Sequence, residues 1–366
     1  MALAEDRLTA RPSGRAADQA LRAPRRAGGT MLSGAPTWAW ALAAVLILLP
    51  LLVSGFVLNS IFSYSFILGM IGLSLMFLGG YGGMVSLTQM TVAGLAAYMT
   101  AIFGPSAIET ISLGWPWYLT IPTAIVIATA FGTLAGLLAV RTEGIYTIMI
   151  TLAIAAGMFN FTLQNYTIFN GFSGFNGVLP PPLFGVDWTA DTPFYYLCLV
   201  AAFLGGWGVL YVSRSPFGLA LQGVRDNPRR MAALGFGVNA HRVAAYAFAS
   251  VIASIAGILL VWQSNQIVPG TAGIGAVIDI LVIAVVGGMG HPIGPFIGAL
   301  IYVILRTFAL DALVAVGLDG ERFRLLVGLG FLAIVYFSPD GVLGLRKRWL
   351  DSRGKDPLTG EREDGA

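Results

Sequence analysis

The sequence predicts an all-α polytopic membrane protein of about ten transmembrane helices. Three observations carry that reading. Hydrophobic residues make up 57% and charged residues only 11% of the 366 positions, against about 25% charged in a typical soluble chain. The apolar residues gather into runs long enough to cross hydrocarbon, and the basic residues fall in alternate gaps between those runs. No soluble core hides this much apolar surface behind so little polar skin. Glycine, at 47 of 366, is nearly twice its usual share of about 7%, as expected where helices pack closely in lipid.

Residues 1–36 are rich in Ala, Arg and Gly without apolar periodicity and read as a disordered basic segment. Glu5, Asp6 and Asp18 argue against a transit peptide, and Met31 is an alternative start. The first apolar run, 39–58, lacks a clear small-residue cleavage site and reads as a retained anchor. Further runs cover 62–80, 83–103, 117–140, 145–165, 194–213, 243–263, 276–290, 295–310 and 322–339. The pieces at 276–290 and 295–310 are short and separated only by a glycine-rich hinge, so they read either as two tilted crossings or as a re-entrant hairpin. Residues 37–345 thus form one transmembrane domain, interrupted by a polar loop at 214–242 and followed by a tail at 346–366.

Charge placement supports this count. With the N-terminus in the cytoplasm, the inside segments hold 18 of the 21 basic residues, leaving only Arg306, Arg322 and Arg324 elsewhere. The outer loops 104–116 and 166–193 contain no Lys or Arg. That is the bias of the positive-inside rule, and it predicts two cytoplasmic termini. The net charge of +3 therefore reflects topology rather than a nucleic-acid partner.

Several chemistries are excluded. The single Cys198 rules out disulfides and cysteine-based metal sites. His241 and His291 leave little for a histidine metal centre, and neither Lys347 nor Lys355 fits a phosphate-binding GxxxxGK[ST] loop. No HExxH, GxSxG or embedded carboxylate pair is present, which disfavours an intramembrane hydrolase. Polar groups within the spans are sparse and mostly neutral: Ser86, Thr88, Gln89 and Thr91 in the third, and Thr142, Tyr146, Thr147, Thr151, Asn160, Gln164 and Asn165 in or near the fifth. Each alone reads as a helix–helix hydrogen bond; together they suggest a neutral hydrogen-bonding route. Full charges are nearly absent there, contrary to a proton relay. Asp279 and Arg306 are the exceptions, placed near helix ends to snorkel or pair.

The spacings Gly79/Gly83 and Gly132/Gly136 match close helix packing, and Gly290, Gly294 and Gly298 form a double repeat. The segment from Gly287 to Pro295, with Gly287, Gly288, Gly290 and Gly294 around two prolines, cannot form a plain helix. It reads equally as a hinge lining a pathway or as a cytoplasmic turn.

The loop from Ser215 to Gly237 cannot enter the bilayer, since burying the five arginines of 214–242 would cost about 12–18 kcal/mol. It spells two short helices. Ser215 caps the first with Pro216 at its first position, Asn227 caps the second with Pro228 following, and Gly235 stops it after Leu234. Arg229 and Arg230 stand beside Met231, Ala232, Ala233 and Leu234. Such an element either lies on anionic headgroups or docks a soluble partner. A transport protein without a nucleotide site takes its energy from an ion gradient or from a partner.

Five motifs in order resemble the membrane permease subunits of branched-chain amino acid ABC importers, in particular the longer of the two permease types. They are RTEGIYTIMITLA (Arg141–Ala153), the external Gly-rich GFSGFNGV (Gly171–Val178), SPFG with VRDNPRRMAALG (Ser215–Gly218 and Val224–Gly235), GGMGHPIGPFIGA (Gly287–Ala299) and SPDGV (Ser338–Val342). The likeness runs from about Ser65 to Leu345, most of the chain.

The resemblance implies a bacterial inner-membrane importer of five parts: this chain, a homologous permease, two cytoplasmic ATPases and an external substrate-binding protein. ATP and Mg would then sit on the ATPases and no cofactor on this chain, which is not itself an enzyme. Arg225, Asp226, Asn227, Arg229, Arg230, Leu234 and Gly235 would form the coupling element. Ser86, Gln89, Thr91, Tyr146, Thr147, Thr151 and Asn176 are the candidate pathway residues. Thr88 stands where the family has Gly, Met90-Thr91-Val92 replaces a small-small-aromatic pattern, and His291 replaces Thr or Ser. These departures leave the cargo open between branched-chain amino acids and other small polar solutes such as urea, amides or aromatic acids. A gradient-driven secondary carrier is the alternative, and the shortage of embedded acids speaks against it.

Overall fold

The computed structural model describes residues 37–315 except 109, 143, 183, 184 and 186, and side chains for 45–308 of these. The basic N-terminal segment, the run at 322–339 with Arg322 and Arg324, the SPDGV motif and the C-terminal tail lie outside the described residues.

The first nine apolar runs are helical, with shifted boundaries. Helix α1 (Thr37–Leu52) is a unit of its own, apolar throughout and carrying Pro50 in its last turn. The first run ends there rather than at 58, because Ser54 turns extended and starts the next helix. Helix α2 (Gly55–Tyr81) spans 27 residues, about 40 Å at 1.5 Å per residue, with π-helical turns at Leu58–Ser63 and Phe77–Tyr81. The third run, expected from 83, becomes helical only at Gln89, giving α3 (Gln89–Phe103). Gly83 causes the delay. It adopts φ +67° and lies against the Arg225 side chain, where a Cβ would sit 2.5 Å from Cγ.

Helix α3 has 15 residues, about 22 Å, too short to cross hydrocarbon of about 30 Å. Every residue from Gln89 to Ile102 is buried. Around it stand α4 (Trp117–Ala139), α5 (Ile145–Gln164) and α9 (Val238–Ser264), while α6 (Asp191–Arg214) packs on α2; these four helices have between 20 and 27 residues each. Small residues set the spacing. Gly257 of α9 faces the Ala93 carbonyl of α3, Gly132 of α4 faces Ser250, and Gly136 faces Tyr246. The expected Gly132/Gly136 packing pair thus receives α9, and those contacts make α4 antiparallel to it. In lipid, contact of this closeness replaces the missing hydrophobic drive.

Between α6 and α9 lie α7 (Pro216–Asp226) and α8 (Pro228–Ala233). Helices α10 (Ile274–Gly287) and α11 (Gly294–Ala315) form an antiparallel hairpin. Their backbones nearly touch: a Cβ on Gly287 would lie 2.0 Å from the Gly294 carbonyl oxygen, and one on Gly298 2.1 Å from that of Ile283. Helix α11, at 22 residues, reaches about 33 Å and is long enough to cross. The 14 residues of α10 reach about 21 Å. Its outer part is completed by non-helical chain: β2 (Gln266–Ile267) and a 3-10 turn (Pro269–Ala272). Ala272 packs on Gly94 of α3, so this irregular backbone lies inside protein, where membrane depth tolerates it.

Two ends emerge. At one are the last turn of α2, Arg141, Arg214, α7, α8, the start of α9 and the turn after α10. At the other, β1 (Phe175–Asn176) pairs antiparallel with β2, matching Phe175 to Ile267, both fully buried. There the Ala107 amide donates to the Asn176 carbonyl at 2.9 Å, and the Asn59 amide to Asp191 at 3.2 Å.

Candidate functional site

The basic end is built by its caps. The Ser215 hydroxyl accepts from the Gly218 amide at 3.2 Å, and Asn227 Oδ1 from the Arg230 amide at 3.0 Å. Each cap is followed by a proline, whose missing N–H costs nothing at a first helical position. Gly235 takes φ +89°, and the Phe236 amide closes on the Met231 carbonyl at 3.1 Å. The two short helices read from the sequence are therefore present. Their roles separate once burial is considered. Helix α7 buries Gly218, Ala220, Leu221 and Val224, whereas α8 buries nothing. Met231 ties α8 to α7, against Gly223.

Of the coupling residues, Arg225 turns toward the bundle. Its Nη1 donates to the Gly80 carbonyl, its aliphatic stem covers Gly83, and its Nη2 pairs with Asp226 at 2.9 Å. Arg229, Arg230 and Leu234 face outward, Leu234 at 66% exposure. The hinge segment lies beside the same end of α2. Met289 Sδ sits against Gly79, and the Met289 carbonyl lies where a Gly80 Cβ would be. Gly288 takes φ +101°, Gly287 and Gly294 form the helix contact, and Gly290 has open space. Next to it an open cavity of about 400 Å³ is lined by Tyr81, Arg214, Gln222, His291 and Pro292. Burial lowers the His291 pKa, and the Ile293 amide pointing at Nδ1 at 3.3 Å also favours the neutral ring.

The pathway candidates divide into two sets. Ser86, Gln89, Thr91, Thr147 and Thr151 are all buried. Ser86 Oγ and Thr88 Oγ1 share a hydrogen bond at 2.8 Å, the Leu87 amide donates to Thr151 Oγ1 at 3.2 Å, and Thr147 Oγ1 donates to the Thr142 carbonyl at 2.9 Å. Of these, the Leu87–Thr151 bond ties the irregular chain before α3 to α5. Both amide atoms of Gln89 and the hydroxyls of Thr91 and Ser250 are buried with no partner among the described residues. Tyr146 and Asn176 are exposed and belong to neither cluster, Asn176 lying in β1 at the far end.

Two features go beyond that reading. Asp279 and Arg306 each meet a tyrosine: Tyr302 lies within hydrogen-bonding reach of Asp279, and Arg306 Nη1 donates to Tyr64 Oη at 3.3 Å; Arg306 lies in the middle of α11 and not near a helix end as the sequence suggests. Asn160 and Gln164 stand on the exposed face of α5, away from the buried threonines with which the sequence groups them. Helical spacing held that signal, because 160 and 164 are out of phase with 147 and 151.

A multi-pass helical bundle with a capped, charged loop at one end and a hydrogen-bonding interior is, in class, an integral membrane protein, and its family gives it a transport role. Residues 57–335 match the family described as branched-chain amino acid transport system / permease component, and the chain belongs to it. The high-affinity branched-chain amino acid transport permease LivM of Escherichia coli is 23% identical over 303 residues, covering 76% of this chain and 66% of LivM. The chain thus spans just under two thirds of that relative. The ribose import permease RbsC of Haemophilus influenzae is 24% identical over 255 residues, covering 68% of this chain and 76% of RbsC. BraD of Pseudomonas aeruginosa, another high-affinity branched-chain amino acid permease, is 30% identical over 150 residues, covering 40% and 47%. No solved structure matches.

Proposed function

We propose that this chain is the transmembrane subunit of an ATP-driven importer in a bacterial inner membrane, with the basic end and both termini in the cytoplasm. It pairs with a homologous permease, receives cargo from an external binding protein, and is driven by two ATPases that hold ATP and Mg. The cargo is a branched-chain amino acid or a related small polar solute. Family membership supports the transport role, and relatives named for branched-chain amino acids and for ribose support a small, hydrogen-bonding cargo of zero net charge.

One observation carries the coupling role: the capped helix α8 stands exposed, while the residue before its cap but one, Arg225, is fastened to Gly80 beside the Gly288–His291 turn. A push on Arg229, Arg230 and Leu234 passes through α7 to the end of α2, to the irregular chain before α3 and to the hinge. An anionic-lipid anchor would need the charges but not the link to α2.

The test replaces Arg229, Arg230 and Leu234 by alanine in the assembled complex and measures ATP hydrolysis and uptake together. Hydrolysis should persist while uptake falls at least about tenfold, a loss of about 1.4 kcal/mol of coupling. Coupled uptake at the unaltered level overturns the assignment.

A further inference from the structure

Helix α5 meets the rest of the chain along Thr147, Thr151, Ala155 and Thr162. The opposite stripe, Tyr146, Met149, Ala153, Gly157, Asn160 and Gln164, is exposed along the length of the helix. The exposed stripes on neighbouring helices differ in kind. Helix α4 presents Val126, Leu134 and Leu138, and α6 presents Phe203, Leu204 and Trp207, all bulky and apolar. Those suit lipid tails. Tyr146, Met149 and Phe161 on this side of α5 suit them as well, but Asn160 Oδ1 and the Gln164 amide do not, because a polar atom against hydrocarbon loses its water and gains no partner.

At its outer end the stripe opens into a pocket of about 660 Å³ walled by Gly157, Asn160, Gln164, Asn165, Tyr166 and Thr167. The wall is built. The Tyr166 ring lies on Gly171, which takes φ +53° and where a Cβ would come within 2.5 Å of the ring. Asn160 Nδ2 is used by the Ala156 carbonyl at 2.8 Å, which leaves its Oδ1 to accept, and Asn165 Oδ1 holds the Ile168 amide at 2.9 Å. The lining carries donors and acceptors beside the Phe161 ring, and no carboxylate, Lys, Arg or His.

Resting on the importer reading above, we propose that this outward face of α5, rather than the buried Ser86–Thr151 seam, is the wetted wall of the translocation route. Its Asn160/Gln164 pocket is a contact site for a solute of zero net charge that is rich in hydrogen-bonding groups: a zwitterionic amino acid, an amide or a polyol. The second permease closes the open side. The small Ala153 and Gly157 leave room for passage, and the absence of charge in the wall disfavours solutes with a net charge.

The native Cys198 is fully buried, so new cysteines can be read in the unaltered background. Ala153→Cys, Gly157→Cys and Asn160→Cys are made in the assembled importer in right-side-out vesicles. The probe is methanethiosulfonate ethylsulfonate, which is charged and reacts with thiolate in water. Gly157 lies about 10 Å and Ala153 about 16 Å along α5 from Gln164, so their labelling does not report the outer surface alone. All three should react at least about tenfold faster than Val126→Cys and Phe203→Cys, whose thiols stay protonated in lipid. Excess leucine, urea or ribose, added one at a time, should slow Asn160→Cys labelling for the class that is carried.

Labelling no faster than at the lipid positions overturns the proposal. So does loss of the second permease on purification of these variants, which would make the stripe packing surface. In a parallel arm, Asn160→Leu with Gln164→Leu should raise the uptake KM about tenfold; an unchanged KM also overturns it. Failure of the importer reading is separate, since it appears as ATP-independent uptake by the unaltered complex.

Discussion

Gly257→Ala tests the packing on which the bundle is built. The added Cβ would lie 2.0 Å from the Ala93 carbonyl oxygen, 2.6 Å from its carbon and 2.7 Å from its Cα. All three are backbone atoms in a fully buried stretch of α3, so no side chain can rotate away. Reaching an ordinary carbon–oxygen contact of about 3.3 Å requires the helices to part by about 1.3 Å. Overpacking of this kind costs about 1–3 kcal/mol, and three backbone clashes place it at the upper end. Alanine returns up to about 1 kcal/mol of helix propensity, leaving about 2 kcal/mol of destabilisation. Gly206→Ala on α6 is the counterpart, with nothing within 4 Å of its Cβ, and should be neutral or stabilising. Both are measured by heating the detergent-solubilised protein with a thiol-reactive coumarin maleimide, which reports exposure of the buried Cys198. Gly257→Ala should release Cys198 several degrees earlier and Gly206→Ala no earlier than the unaltered chain. Equal melting of all three would refute the claim that α3 and α9 touch backbone to backbone.

Asn227→Ala removes the cap on α8, costing about 1 kcal/mol of local helix stability. Retention of ATPase subunits on purification should weaken, and Asn227→Asp should restore it. The burial-lowered pKa of His291 makes a pH prediction: protonation is favoured in the unfolded chain, whose histidine titrates near 6.5, so the contribution is present above that pH and is lost as pH falls below it. The ring remains partly exposed, so the effect is small; it is read as a downward drift in melting temperature from pH 7.5 to 5 that His291→Asn flattens. Asp279→Asn removes a carboxylate that acts on Arg306 in the middle of α11 and should lower the melting temperature. Adding Arg306→Gln should recover part of the loss, and strict additivity in that double-mutant cycle would exclude coupling through Tyr302 and Tyr64.

Much of the basic end was legible in the sequence because capping is local. Ser215-Pro216, Asn227-Pro228 and Gly235 specify their helices through contacts within three residues, and the structure has each. Arg225 was not legible in the same way. The family resemblance placed it with Arg229 and Arg230 in the coupling element, yet it reaches Gly80, 145 residues away. Hydropathy likewise found α3 but not its start, since Met84, Val85 and Leu87 are apolar in an irregular segment as in a helix. It is the φ +67° of Gly83, packed on that arginine, that breaks the helix there.

The sequence by itself determined the class, the helical runs, the segregation of charge and the caps, because each rests on transfer from water or on bonds between near neighbours. Only the tertiary structure decided which face of each helix is covered. Thr151 and Gln164 share one helix and similar polarity, but one bonds to the chain before α3 and the other stands open. In lipid the hydrophobic effect does not distinguish inside from outside, so the choice falls to shape: where Gly132, Gly136 and Gly257 let α9 approach, and where Gly157 leaves a groove.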